Sequence, residues 1–375
     1  MYHSISRQTG KLHVSPELFE EQCCALSKAG WRGISLTEAE DHFLRGKKLP
    51  PRTCLFSFDD GYLDNYVYAE PILRAYGHQG VIFPALHMLE EGKKPRPNRD
   101  ELASAPERRK ELGDLHTPRM IWRAGYRVRE ARFCSWSEIH RLREGGVMDA
   151  APHSLTHGRV VSGLDFTKLH NSGKGHGFFG VFPYEALWGM PVFPTGYALS
   201  TRGYTLNPAL FDLVRAMVPQ KRKEAQNYLS DAGNRQNVLA AIKKLPWLGR
   251  PETDVEFRAR LFTEFSQCRK IFAERLGHTP VSFCWPWGAS CKESVEEAER
   301  AGFRLFFCTS WTGGAYRQGK PVRRSGVRYF TTPERILHKA RFFSVAPLGA
   351  AYAYLVRVWR FSRAVLQKRA ARVAG

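Results

Sequence analysis

Four short apolar runs separated by helical patterns leave this chain few folds to choose from. Thr53 to Phe58 is almost continuously apolar, as expected of a parallel strand covered on both faces. Gly80 to Leu86, Val281 to Trp285 and Phe303 to Thr309 read the same way, and Val147 to Pro152 reads as a shorter strand. Helices fall between them. Ser15 and Pro16 open one whose apolar face is Leu18, Phe19, Cys23 and Leu26, ended by Gly30. Thr37 with Glu40 reads as a capping box opening the next, and Ser135 with Glu138 as another. A helix spans Tyr66 to Tyr76, one runs from Glu293 to Ala301, and Phe257, Leu261, Phe265, Cys268, Phe272 and Leu276 mark a long amphipathic helix closed by Gly277. Strands alternating with helices imply βα units around a mainly parallel sheet or barrel.

Length and charge refine this. The 375 residues suit either two domains or one α/β barrel with insertions. Residues 88–132, rich in Lys, Arg, Glu and Pro, and residues 158–250, first Gly- and aromatic-rich and then basic and helical, interrupt the alternation and read as insertions. A hydrophobic content of 43% excludes general disorder. The net charge of +21 predicts attraction to polyanions and says nothing of fold. Its basic residues are dispersed and match no nucleic-acid module, so no nucleic acid is expected as a partner. Eight cysteines without a Cys-x-x-Cys pair read as buried reduced thiols, which suits a cytoplasmic protein. The opening residues show no signal-peptide pattern, and no stretch is apolar enough to span a membrane.

Three segments carry chemistry. Phe56-Ser57-Phe58-Asp59-Asp60-Gly61-Tyr62 puts two acids just after an apolar strand, at the carboxyl edge where parallel α/β folds build active sites, although a solvated Asp-Gly turn gives the same pattern. His153-Ser154-Leu155-Thr156-His157 offers two imidazoles four residues apart, which face one metal ion if the segment turns helically. With Asp60 they make three protein ligands, the number a hydrolytic metal site uses. Cys284-Trp285-Pro286-Trp287-Gly288 follows a strand and reads either as a Pro/Gly turn or as an aromatic wall beside the metal.

In this order the three segments resemble the polysaccharide deacetylases, the fourth carbohydrate esterase family, over residues 1–87, 133–157 and 257–330. The resemblance implies an α/β fold, a distorted (β/α) barrel of residues 1–330 carrying both insertions. It implies a metal-dependent hydrolase removing the N-acetyl group from an amino sugar, polymeric or lipid-linked. Carried over by motif, Asp60, His153 and His157 hold a divalent metal, zinc or else cobalt, nickel or manganese, and Asp59 is the general base. Tyr62, Trp285, Pro286 and Trp287 line the substrate. Met1-Tyr2-His3 resembles the Leu-x-His motif of permuted members such as biofilm poly-N-acetylglucosamine deacetylases, which makes His3 the general acid. The family's Arg-x-Pro-Tyr motif is here Cys284-Trp285-Pro286-Trp287, so its base-tuning arginine is expected to be absent, and a catalytically impaired metal- or sugar-binding protein is the alternative.

The remaining stretch, residues 331–375, has no acid after Glu334 but carries Arg335, Lys339, Arg341, Arg357, Arg360, Arg363, Lys368, Arg369 and Arg372. Leu355, Val358, Trp359, Val365 and Leu366 recur among them at helical spacing. A basic amphipathic helix of this kind reads either as a solvated helix packed on the barrel or as an anchor to anionic membrane, the latter placing the protein peripherally at the inner membrane face with a lipid-linked sugar as substrate.

Overall fold

The computed structural model describes residues 1–8, 10–116, 120–123, 126–129, 132–170, 187–309 and 321–344. The expected strands form two parallel groups. Phe56–Asp60 pairs with Gly80–Pro84, in register from Phe56 opposite Gly80 to Asp60 opposite Pro84, and Gly80–Pro84 pairs with Met148–Ala150. Ser282–Cys284 pairs with Leu305–Cys308, which pairs with Val322–Arg323. Among the described residues no sheet closes on itself, so the α/β character is observed without a continuous barrel. Single backbone contacts nevertheless run between the groups. The Cys284 amide donates to the Pro152 carbonyl (3.1 Å). Tyr2 bridges Phe58 in parallel, the Val327 amide donates to the Met1 carbonyl (2.9 Å), and the Met1 amino group donates to Ser325 O (2.9 Å).

The helices follow the apolar periodicity. Pro16–Lys28 is capped by Ser15 and buries Phe19, Cys23 and Leu26. Asp254–Leu276 opens with a Thr253–Glu256 capping box, ends at Gly277 in the left-handed region, and buries Phe257, Leu261, Phe265, Cys268, Phe272 and Leu276. At roughly 1.5–3 kcal/mol per large apolar side chain, that stripe outweighs any helix propensity term. One cap differs from expectation. Leu36–Arg45 starts two residues before the Thr37–Glu40 reading, because the Ser35 hydroxyl accepts from the Glu38 amide while the Glu38 carboxylate accepts from the Ser35 amide. The Tyr66–Tyr76 segment is π-helical over Asn65–Ala69 and α-helical only over Glu70–Ala75.

Most core residues form one cluster between strands and helices, and a smaller cluster of Leu36, Val81, Phe83, Ala151, Cys284, Leu305 and Phe307 lies between the strand groups. The 158–250 excursion is not a loop. Helices Pro208–Met217, Arg222–Ser230 and Ala232–Lys243, with the antiparallel pairs Arg159–Val161/Thr195–Tyr197 and Tyr204–Leu206/Gly249–Pro251, enclose a separate apolar cluster around Leu210, Val214, Val238 and Ile242. The 88–132 excursion holds helix Arg99–Ser104 and the antiparallel pair Met120–Arg123/Tyr126–Arg129. Pro333–Phe343 is a helix whose Ile336 joins the main core, while the expected tail helix with Leu355, Val358, Trp359, Val365 and Leu366 lies outside the described residues. All eight cysteines are free thiols. No described helix is long and apolar enough to cross a membrane.

Candidate metal centre

Strand alternation determines where the two acids point. Ser57 and Asp59 lie on one face of Phe56–Asp60, whereas Asp60 ends the strand in the left-handed region (φ 73°), turning its carboxylate over the strand end. Gly61 follows with φ 85°, and a Cβ there would sit 2.8 Å from Pro84 Cβ, so only glycine passes this corner. Asp60 Oδ1 is 3.6 Å from His153 Nε2 and 3.4 Å from His157 Nε2. All three residues are buried.

The loop bearing the histidines does not turn helically. Ser154 (φ 75°) and His157 (φ 51°) take left-handed backbone instead, each at a cost of about 1–2 kcal/mol. Convergence of the imidazoles comes from this strained turn, with their ring centroids 5.0 Å apart, not from i, i+4 spacing on a helix.

Donor chemistry points to a cation here. His153 Nδ1 lies 2.8 Å from the Cys284 carbonyl, which can only accept, so the proton is on Nδ1 and the Nε2 lone pair faces Asp60. Asp60 Oδ1 is buried without a hydrogen-bond partner. A carboxylate oxygen and an imidazole lone pair turned toward one another in a buried site fit a positive ion between them. Burial pushes Asp60 up to about 8, the Asp59 charge adds to this, and Arg324 and a Tyr62 hydrogen bond oppose it. Burial likewise pulls both histidines below their usual value, which leaves them neutral and able to ligate. A second convergent set, Asp59, His153 and Cys284, is less suited, because both Asp59 oxygens are engaged and burial raises the Cys284 thiol well above its ordinary range.

The partner of Asp59 corrects the sequence reading. Its two oxygens accept from Arg324 Nη1 (2.6 Å) and Nη2 (2.8 Å), and Nη1 also reaches Ser57 Oγ (3.1 Å). The arginine missing from the Cys284-Trp285-Pro286-Trp287 segment is thus supplied by a residue just after Val322–Arg323. Burial alone would raise the Asp59 carboxyl, but Arg324 outweighs it, with help from His153 and His3, and holds it below the usual carboxylate range. The pair is almost fully enclosed, the Arg324 side chain being 6% exposed and that of Asp59 1%.

His3 lies close enough to Asp59 and His153 for their charges to act on it; burial is the main influence and lowers it to about 4. Tyr62 stacks on Phe133 at 5.2 Å. Of the four residues expected to line substrate, Trp285 is the correction. It is fully buried, edge-on to Phe265 and Phe283 and stacked on Phe306, because one step of alternation past Cys284 turns it away from the site. Pro286 is buried in the following turn. Trp287 is 42% exposed, lies 4.6 Å from the His157 ring, and stacks at 5.3 Å on Tyr197, itself 38% exposed. Tyr197 comes from the 158–250 segment, and no motif in the sequence marks it.

No family model matches the chain. It is 39% identical over 83 residues to a Bacillus subtilis (strain 168) protein provisionally named polysaccharide deacetylase YxkH, a match spanning 22% of this chain and 29% of that one. Its fold is similar to the de-N-acetylase from Aggregatibacter actinomycetemcomitans, with TM-score 0.57 and 18% identity over 90% of this chain and 97% of that one. The deacetylase domain of BpsB from Bordetella bronchiseptica aligns at TM-score 0.50 and 18% identity over 87% and 90%. An 83-residue stretch of the chain is thus similar to a protein named as a polysaccharide deacetylase, and its fold is similar to that of solved de-N-acetylases.

Proposed function

We propose that this protein is a metal-dependent hydrolase that removes N-acetyl groups from an amino-sugar substrate. The observation that carries the reading is Asp60 Oδ1 facing two imidazole Nε2 atoms, beside an Asp59 carboxylate kept ionised by Arg324. Asp60, His153 and His157 would hold a divalent cation, zinc being the first choice for two nitrogens and one oxygen. When bound, such an ion would supply Lewis acidity to the amide carbonyl and to a water molecule near neutral pH. Asp59 accepts the water's proton, its orientation fixed by the two-pronged Arg324 contact. His3 delivers a proton to the departing amine. With its value near 4 it is neutral in the resting site, so the proton it passes to the amine is the one that Asp59 has taken from water. An impaired alternative has two grounds, a missing motif arginine and an inaccessible His3; Arg324 beside Asp59 speaks against the first, and His3→Ala tests the second.

Trp287 and Tyr197 offer exposed aromatic surface beside His157, suited to the apolar faces of sugars. The strand groups are read as one distorted barrel within residues 1–330. Support comes from the backbone contacts at both edges, Cys284 to Pro152 on one side and Met1 and Tyr2 to Val327 and Ser57 on the other. Residues 331–375 are read as a basic extension that meets anionic membrane at the cytoplasmic face, with a lipid-linked sugar as one substrate form. Each basic residue near such a surface contributes about 1 kcal/mol, screened by salt. Equal liposome co-sedimentation with and without the stretch after Pro347 would remove this part of the reading.

Metal analysis with acetate release from free, polymeric and lipid-linked N-acetyl sugars tests the function. Asp59→Asn should keep the metal and lose hydrolysis, whereas His153→Ala and His157→Ala should lose metal. Acetate release that persists at full rate in Asp59→Asn overturns the assignment.

A further inference from the structure

The strained loop between the two histidines has its backbone groups accounted for from two sides. The carbonyls of Ser154 and Leu155 accept from the amides of Leu86 (3.0 Å) and His87 (2.8 Å), just after the Gly80–Pro84 strand. The His157 amide turns back to Ser154 Oγ (2.9 Å). The Leu155 amide donates to Glu264 Oε1 at 2.8 Å, and the Thr156 amide donates to the same carboxylate. Glu264 stands 109 residues beyond Leu155, on the long helix Asp254–Leu276. Among the described residues no lysine or arginine forms an ion pair with it. A half-buried carboxylate whose hydrogen bonds run to two consecutive amides of one loop is committed to that loop's shape.

We propose that Glu264 is a positioning residue for the metal centre, and this rests on the metal-site reading above. By accepting the two amides midway between His153 and His157, it holds the Ser154–His157 turn in its left-handed conformation. It thereby sets the distance between the two imidazole nitrogens facing Asp60. The helix brings rigidity that a loop residue would not, since Leu261 and Phe265 on either side of Glu264 are fixed in the core. Glutamate suits the position because one carboxylate accepts both donors. Glutamine keeps one acceptor oxygen but turns an amino group toward the second amide. Alanine leaves both amides unsatisfied beside the buried Leu155.

The experiment uses the full chain and variants E264A, E264Q and L261A, the last removing a buried side chain of the same helix that has no hydrogen bond to the loop. Zinc affinity is read by chelator competition, folding by circular dichroism, and protection of the Leu155 and Thr156 amides by hydrogen exchange. E264A should weaken zinc at least tenfold, in the 10–100-fold range of outer-shell changes, and deprotect both amides. E264Q should recover most of the affinity and keep one amide protected. L261A should lower the melting temperature and leave zinc affinity unchanged. Zinc affinity in E264A within twofold of the parent, or equal weakening by L261A and E264A, overturns the proposal. If E264A does not fold, hydrogen exchange in E264Q decides: loss of protection at one of the two amides supports the brace, and unchanged protection at both overturns it. If the parent binds no zinc, the metal reading fails. Amide exchange in the parent and E264Q then decides the brace alone, and unchanged protection in E264Q would overturn it.

Discussion

Replacing Arg324 by glutamine removes the charge facing a carboxylate that has almost no access to water. The pair is joined at 2.6 and 2.8 Å, so the loss is of two charge-assisted hydrogen bonds and of the only guanidinium that opposes Asp59 desolvation among the described residues. Removing one partner of a buried ion pair costs about 3–5 kcal/mol, because the survivor stays buried and uncompensated. Arg324→Gln should therefore lose at least about 3 kcal/mol in urea unfolding of the metal-free protein. Asp59→Asn should lose a similar amount. The double variant places two neutral amides against each other and should be less destabilised than the sum, with a coupling of at least about 1.5 kcal/mol, within the range seen for residues sharing one network. Acid titration gives a second readout. The folded-state value of Asp59 is depressed, so its contribution is present above the unfolded carboxylate value of about 3.9 and is lost as pH falls through and below that point. Arg324→Gln should flatten this acid limb. Additivity within about 0.5 kcal/mol, or a loss under about 1 kcal/mol, would refute the argument that this pair is a desolvated unit.

Three further outcomes are expected. His3→Ala should lower turnover by about 10²-fold or more and reshape the pH–rate profile; an unchanged profile assigns the acid to another residue. Asp64→Asn should stabilise the protein at neutral pH. Burial raises Asp64 from its ordinary 3.8 to about 6 despite bonds from Ser4 and Ile5, so the folded state favours the protonated form and stability falls as pH rises from about 4 to 6. Two units correspond to about 3 kcal/mol, which the variant should regain at pH 7.5 but not at pH 3.5; equal stability of the two proteins at pH 7.5 contradicts this. Tyr197→Ala should cut kcat/KM at least about fivefold for an N-acetylated oligosaccharide and leave a monosaccharide unaffected, since the ring lies beyond Trp287 from the metal ligand. Equal losses on both substrates would assign Tyr197 to propping Trp287.

What the sequence revealed depended on the range of the signal. Asp59, Asp60, His153 and His157 were legible because their motifs are local and sit at strand ends, where the alternation of strands and helices already puts an active site. Arg324 was not, since it lies 265 residues from Asp59 and follows a two-residue strand with no motif around it. The Trp285 reading failed on parity. The motif said which residues gather near the metal, but one residue of strand alternation separates a side chain facing Asp59 from one facing Phe265. The left-handed turn at Ser154 and His157 had no sequence signature because neither is glycine or asparagine, and tertiary contacts impose it. The helical character of the basic half of 158–250 was legible, but its separate core was not, since the helices are short and the cluster forms between them with no single long apolar stripe to announce it.

The join between the two ends of the fold bears on how the molecule is made. The Met1 amino group and the Ser325 carbonyl are 324 positions apart in sequence, yet they form one hydrogen bond. Contacts of such separation are late events in folding, since the entropy of closing the intervening chain comes before their reward. During synthesis the first strand residues must wait, edge exposed, until the segment around Val327 has emerged. Until then the Met1 edge that Val327 will cover is a template for unwanted pairing, and the two metal-facing histidines sit in a half-built site. Expression conditions that slow aggregation of nascent chains should therefore raise the yield of this protein more than conditions that favour its finished fold.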